Sequence, residues 1–104
     1  MRWNTMLAAA LLAAAVLPAS AQDKEALYVR SLAATCANCH GTDGRAQAGS
    51  SVVSLAGMPQ QQIVAQMKAF QSGARSATIM HQLSKGYSDA QIAQIAGYFA
   101  SKSR

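Results

Sequence analysis

The sequence predicts an all-α domain of three or four helices. No run alternates apolar and polar residues in the way a half-buried strand requires, and in the second half of the chain apolar residues recur three and four positions apart. With 104 residues, 51% of them apolar and 12% charged, there is room for one small domain.

The first 21 residues stand apart from that domain. Met1 to Ala21 holds Arg2, an unbroken apolar run from Met6 to Leu17, then Pro18 and the small-residue triplet Ala19-Ser20-Ala21. This is the order of a secretory signal peptide, with cleavage expected after Ala21. The apolar run has 12 residues, whereas a membrane-spanning helix needs about 20, so no stable membrane insertion is expected after cleavage. No Cys follows the cleavage position to carry a lipid anchor. The expected organisation is a signal peptide over 1–21 and one domain over 22–104, located in the periplasm.

In the mature region the first helix is expected from about Lys24 to Thr35, with Leu27, Leu32 and Thr35 turned inward. The stretch from Gly41-Thr42-Asp43-Gly44 to Gly49-Ser50-Ser51 is rich in turn residues and reads as a loop. Its glycines are too irregular for a phosphate cradle. A second helix is expected from about Pro59 to Ser72, because Pro suits a first turn, Ile63, Met67 and Phe70 form one stripe, and Gly73 is placed to end it. The last helix starts at Ser88, whose hydroxyl and Gln91 three residues on form a capping box. Ile92, Ile95, Ala96 and Phe99 make its buried face, while Ala93 and Gly97 leave room for another helix.

Gln22 to Arg104 carries eight basic and four acidic side chains, a net charge of +4. So mild a balance argues against a nucleic-acid partner and for docking to an acidic protein surface or an anionic membrane. The acids Asp23, Glu25, Asp43 and Asp89 are dispersed and suggest no acid-base pair, so the chain is not expected to be an enzyme by itself.

The chemistry is concentrated in Cys36-Ala37-Asn38-Cys39-His40, a Cys-x-x-Cys-His run that reads as a c-type haem attachment sequence. Two thiols three residues apart on one turn can each add to one haem vinyl group, and the imidazole that follows is placed to bind the iron. The competing readings are weaker. A Cys36–Cys39 disulfide closes too small a loop to restrict the unfolded chain much, no strand precedes the pair as in a thioredoxin-type motif, and a zinc site would have only His81 as a further soft or imidazole ligand.

A second axial ligand would close the iron for electron transfer, and Met58, Met67, Met80 and His81 are the candidates. Met67 belongs to the apolar stripe and Met58 to the entry of its helix. Met80 is expected on an extended loop after Gly73 and is favoured over its neighbour His81, which is expected to be partly exposed near the haem edge. Arg45, Lys68, Arg75 and Lys85 are expected as solvated surface, with one or two available to haem propionates.

The run Cys36-Ala37-Asn38-Cys39-His40-Gly41-Thr42-Asp43-Gly44, followed by Leu55-Ala56-Gly57, a Met loop and a capped final helix ending Gly97-Tyr98-Phe99, resembles a class I c-type cytochrome. The resemblance implies one covalent haem c on Cys36 and Cys39, His40 and Met80 as axial ligands, terminal helices that cross, and one-electron transfer. Ala77-Thr78-Ile79-Met80 with Gln82 to Asp89 is similar to the cytochrome subunit of flavocytochrome c sulfide dehydrogenases, which implies a flavoprotein dehydrogenase subunit as electron donor. A free periplasmic carrier working with another redox protein is the alternative, and a gas-binding or sensing haem protein with a displaceable sixth ligand is a third reading. The chain departs from the pattern at Tyr28, where many class I cytochromes have Gly at the helix crossing; Gly97 and neighbouring alanines are expected to take over that close approach.

Overall fold

The computed structural model describes residues 17–104, which contain helices and turns and no strand. Most of the expected signal peptide, residues 1–16, lies outside the described residues. Among the described residues no helix is long and apolar enough to cross a membrane. The order is α1 (Leu17–Ala34), α2 (Ala37–His40), a 3₁₀ turn (Thr42–Gly44), α3 (Gln60–Ser72), α4 (Met80–Leu83), a second 3₁₀ turn (Ser84–Gly86) and α5 (Asp89–Ala100).

Helices α1 and α3 both pack on α5. The buried cluster between them consists of Ala33, Ile63, Met67, Ile92, Ile95, Ala96 and Phe99. The stripe expected on α3 is buried at Ile63, Met67 and Phe70, and the face expected on α5 is buried at all four positions. Pro59 is the residue before α3, and its carbonyl accepts from Gln62 and Ile63. Gly73 ends the helix at φ 80°, a left-handed value that glycine adopts without a Cβ clash. At the start of α5 the capping box forms as expected, Gln91 N donating to Ser88 Oγ while Ser88 N donates to Gln91 Oε1.

Helix α1 keeps its expected inward face only at Leu32, which is half-buried and packs against the core. Leu27 is 65% exposed and Thr35 is exposed, whereas Ala33 is 3% exposed. At about 100° per residue, Val29 lies on nearly the same side as Ala33, while Leu27 and Thr35 fall on the far side. The fully buried contact is a small alanine, so apolar bulk marks the face only in part.

The crossing of α1 and α5 also explains Tyr28. Its ring stands at the margin, 44% exposed, where its hydroxyl accepts a hydrogen bond from Gln91 Nε2 at 3.2 Å. Gln94 Nε2 donates to Glu25 Oε1 at 2.9 Å farther along the same crossing. The buried small residues are Ala33 and Ala96. Gly97 is not the point of close approach to α1, because a Cβ there would meet only the Gln60 side chain, at 3.5 Å.

Candidate functional site

Helix α1 ends directly before the cysteines. Cys36 N donates to Ala33 O at 3.1 Å, and His40 N donates to Cys36 O at 2.9 Å, so the chain turns once and begins α2. Residues three apart in such a turn share a face, which puts both sulfurs on one side. Cys36 is half-buried and Cys39 exposed, and no disulfide joins them. Burial pushes the Cys36 thiol above its ordinary range, with the Thr35 hydroxyl opposing and Cys39 adding to the rise.

His40 is 9% exposed, and its Nδ1 lies 2.6 Å from the carbonyl oxygen of Val53. A carbonyl only accepts, so Nδ1 carries the proton and donates, and Nε2 keeps its lone pair. A ligating imidazole needs this arrangement, with its orientation and tautomer fixed by the second nitrogen.

The loop that supplies Val53 is closed by backbone. Gly44 O accepts from Leu55 N at 2.7 Å and from Ala56 N at 3.1 Å, and Ala46 N donates to Ser54 Oγ at 2.9 Å. Gly41 makes the first turn at φ 84°, where a Cβ would lie 1.9 Å from the Arg45 carbonyl oxygen. The C-terminal segment braces the same turn. Tyr98 Oη donates to Asp43 Oδ1 at 2.5 Å, and Arg45 donates to Ser103 O and Ser103 Oγ.

Met80 opens α4, and this differs from the extended loop expected. Ile79 O accepts from Gln82 N at 2.9 Å and Leu83 N at 3.1 Å, which winds the segment into one turn of helix. The Met80 side chain is half-buried and packs at the edge of the core, as do Cys36 and Met58. His81 is half-buried, and its Nδ1 is enclosed without a hydrogen-bond partner. Met67 is in the core, as expected. Of the four cations singled out, Arg45 is bonded to Ser103, Lys68 lies 2.5 Å from Asp89, and Arg75 contacts Gln66 and stacks 4.8 Å over the Phe70 ring.

The residues fit a haem. Beyond the two thiols and the prepared imidazole, Val53, Ile79 and Leu83 expose 55%, 52% and 47% of their surface. Val53 supplies the carbonyl bonded to His40, and Ile79 and Leu83 flank Met80 in the chain, so each candidate ligand has exposed apolar neighbours that a flat apolar macrocycle could cover. Among the described residues no three His, Cys, Asp or Glu side chains group as ligands for a free metal ion.

Sequence reasoning passed over Val53 and the Asp43–Tyr98 pair. Val53 contributes a backbone oxygen, which no side-chain pattern reports. For Tyr98 a signal existed: a hydroxylated ring beside the buried face of α5 requires a polar partner.

The cytochrome c family model matches residues 28–103. The chain is 37% identical over 73 residues to the cytochrome subunit of sulfide dehydrogenase from Chlorobaculum tepidum, covering 70% of this chain and 64% of that protein. It is 35% identical over 68 residues to a thiosulfate dehydrogenase electron acceptor from Thiomonas intermedia, covering 65% of this chain and 31% of that one. Against cytochrome c-554(548) from Halomonas halodenitrificans the identity is 37% over 71 residues, 65% of this chain and 84% of the relative. The chain thus spans about a third of the Thiomonas protein and just under two thirds of the Chlorobaculum protein.

Proposed function

Because the chain belongs to the cytochrome c family as a class I c-type cytochrome, an electron carrier with one covalent haem c, we propose that it works in the periplasm and accepts electrons from a flavoprotein sulfide dehydrogenase as that enzyme's cytochrome subunit. When bound, the haem supplies an iron that takes up and releases one electron. In this reading Cys36 and Cys39 hold the haem by thioether bonds, His40 is the proximal ligand and Met80 the sixth.

The observation that carries it is the 2.6 Å bond from His40 Nδ1 to Val53 O, which leaves Nε2 bare and aimed by a loop with little freedom. In this reading the Met80 thioether, at the edge of the core, would provide the soft ligand, with the apolar side chains of Ile79 and Leu83 beside it in the chain. The relatives named for sulfide and thiosulfate dehydrogenases support a donor that oxidises reduced sulfur. A second reading, a free carrier, is favoured by the Halomonas cytochrome, which this chain spans over 84% of its length.

The experiment is an absorption spectrum of the untagged protein isolated from the periplasm of its own host, oxidised and then reduced. The expected result is a low-spin c-type spectrum with flavin absorbance co-eluting above the mass of one small chain. Haem alone at monomer mass selects the free carrier. Cys36→Ala with Cys39→Ala is expected to give a polypeptide of unmodified mass, and Met80→Ala a reduced protein that binds carbon monoxide and has a lower potential. An unchanged carbon monoxide response in Met80→Ala would remove Met80 from the iron.

A further inference from the structure

The Met80 segment, α4 and the turn after it, packs chiefly on α3. From the last turn of α3, Gln71 reaches across this contact. Its Nε2 donates to Ser84 O at 2.7 Å and to Tyr87 O at 3.2 Å. An amide nitrogen has two protons, so one side chain serves both carbonyls and pins the exit of the segment at two points. Ser84 is 0% exposed, so without the amide its carbonyl would keep only the longer 3.4 Å bond from Tyr87 N.

The bonds continue beyond the segment. Thr35 Oγ1 donates to Leu32 O at 2.9 Å, which uses its only proton. At the 2.8 Å contact with Thr35 Oγ1, Tyr87 Oη is therefore the donor. Thr35 immediately precedes Cys36, so the network runs from Gln71, through Tyr87, to the residue beside the first haem thiol.

We propose that Gln71 is the positioning residue for the Met80 thioether, and that Tyr87 carries its hold to the Cys36 turn. This rests on Met80 being the sixth ligand. Glu at position 71 would lack donors when ionised, and Asn would be one methylene short of the two carbonyls. Gln71 never touches the iron; it sets how readily the Met80 segment swings away.

The test titrates imidazole into the ferric holoprotein and follows loss of the methionine-sulfur-to-iron charge-transfer band, with helical circular dichroism recorded in parallel. Gln71→Met keeps the stem and removes both donors. It is expected to bind imidazole roughly ten- to a hundredfold more tightly, the equilibrium equivalent of losing the two hydrogen bonds the amide makes, with the helical signal unchanged at the assay temperature. Tyr87→Phe is expected to shift the same affinity in the same direction by about threefold. A lowered melting temperature with imidazole affinity within about twofold of the parent overturns the proposal, because a purely structural role would do that. If Gln71→Met does not retain haem, Tyr87→Phe decides: tighter imidazole binding supports the network and unchanged binding overturns it. Met80→Ala separates the premise, since a charge-transfer band that survives in that variant removes Met80 as ligand whatever the Gln71 variants do.

Discussion

On the His40 side, the chain from Gly41 to Ala56 closes on itself through its own backbone, with Gly44 O taking two amide protons and Val53 O fixing the imidazole. On the Met80 side, a single turn of helix leans on α3 and is fastened at its exit by the side chains of Gln71 and Tyr87. Backbone closure leaves few alternative positions, because every displaced amide or carbonyl would need a new partner. Side-chain fastening can be released by one rotamer change. The two candidate ligands thus differ in freedom: the proximal one is built into the path of the chain, and the distal one is held on a detachable strap.

The strongest way to break this contrast is on the backbone side. Gly41→Ala puts a Cβ 1.9 Å from the Arg45 carbonyl oxygen at a residue with φ 84°, and the turn cannot yield without disturbing the bonds to Gly44 O. The expected loss is roughly 2–4 kcal/mol, measured by guanidinium unfolding followed through helical circular dichroism. A loss below about 1 kcal/mol would mean that the loop relocates freely, and the contrast would disappear.

A smaller effect is expected where α5 begins, just beyond the Met80 segment. Ser88→Ala removes the acceptor of Gln91 N, while the Gln91 side chain still reaches Ser88 N. The expected cost is about 1 kcal/mol, read from the same denaturant curve. Because Ser88 directly follows Tyr87, the variant also sharpens the comparison: imidazole affinity should rise with it only if fraying of α5 is transmitted to the strap. An unaltered affinity would locate the hold on Met80 at Gln71 and Tyr87, upstream of the cap.

What could be read in the sequence follows from which interactions have a period. The stripes of α3 and α5 were legible because Ile63, Met67, Ile92, Ile95 and Phe99 repeat with the helical turn and carry most of the buried bulk. The α1 face was legible only at Leu32, because its fully buried contact is Ala33 and bulkier Leu27 is exposed. The Cys-x-x-Cys-His run announced the proximal chemistry in five consecutive residues. The acceptor that orients His40 is a carbonyl 13 residues away, and the Gln71 contacts join α3 to a turn 13 and 16 residues on; neither has a local signature. Winding of the Met80 segment into α4 was missed for a related reason, since one turn is too short to show periodicity.

The smallest expected effect concerns the brace behind the His40 turn, and it is best seen through pH. The Tyr98 hydroxyl donates to Asp43, which holds the carboxyl below its usual 3.8, with Lys102, Arg45 and Arg30 assisting. The same bond raises the Tyr98 hydroxyl above its usual 10.0. The folded carboxyl binds its proton less tightly than the unfolded one, so the bond contributes above about pH 4 and fades as pH falls through the lowered value. The folded phenol binds its proton more tightly, so the contribution is present below about pH 10 and fades as pH rises through the raised value. Tyr98→Phe keeps the ring, edge-on to Phe99 at 5.3 Å and beneath Lys102, and deletes only the bond. Its unfolding midpoint should therefore lie slightly below the parent's across the neutral range and converge with it at both extremes. A constant offset at every pH would instead assign the effect of the hydroxyl to packing, leaving the loop's own backbone and the Arg45 bonds to Ser103 as the support behind His40.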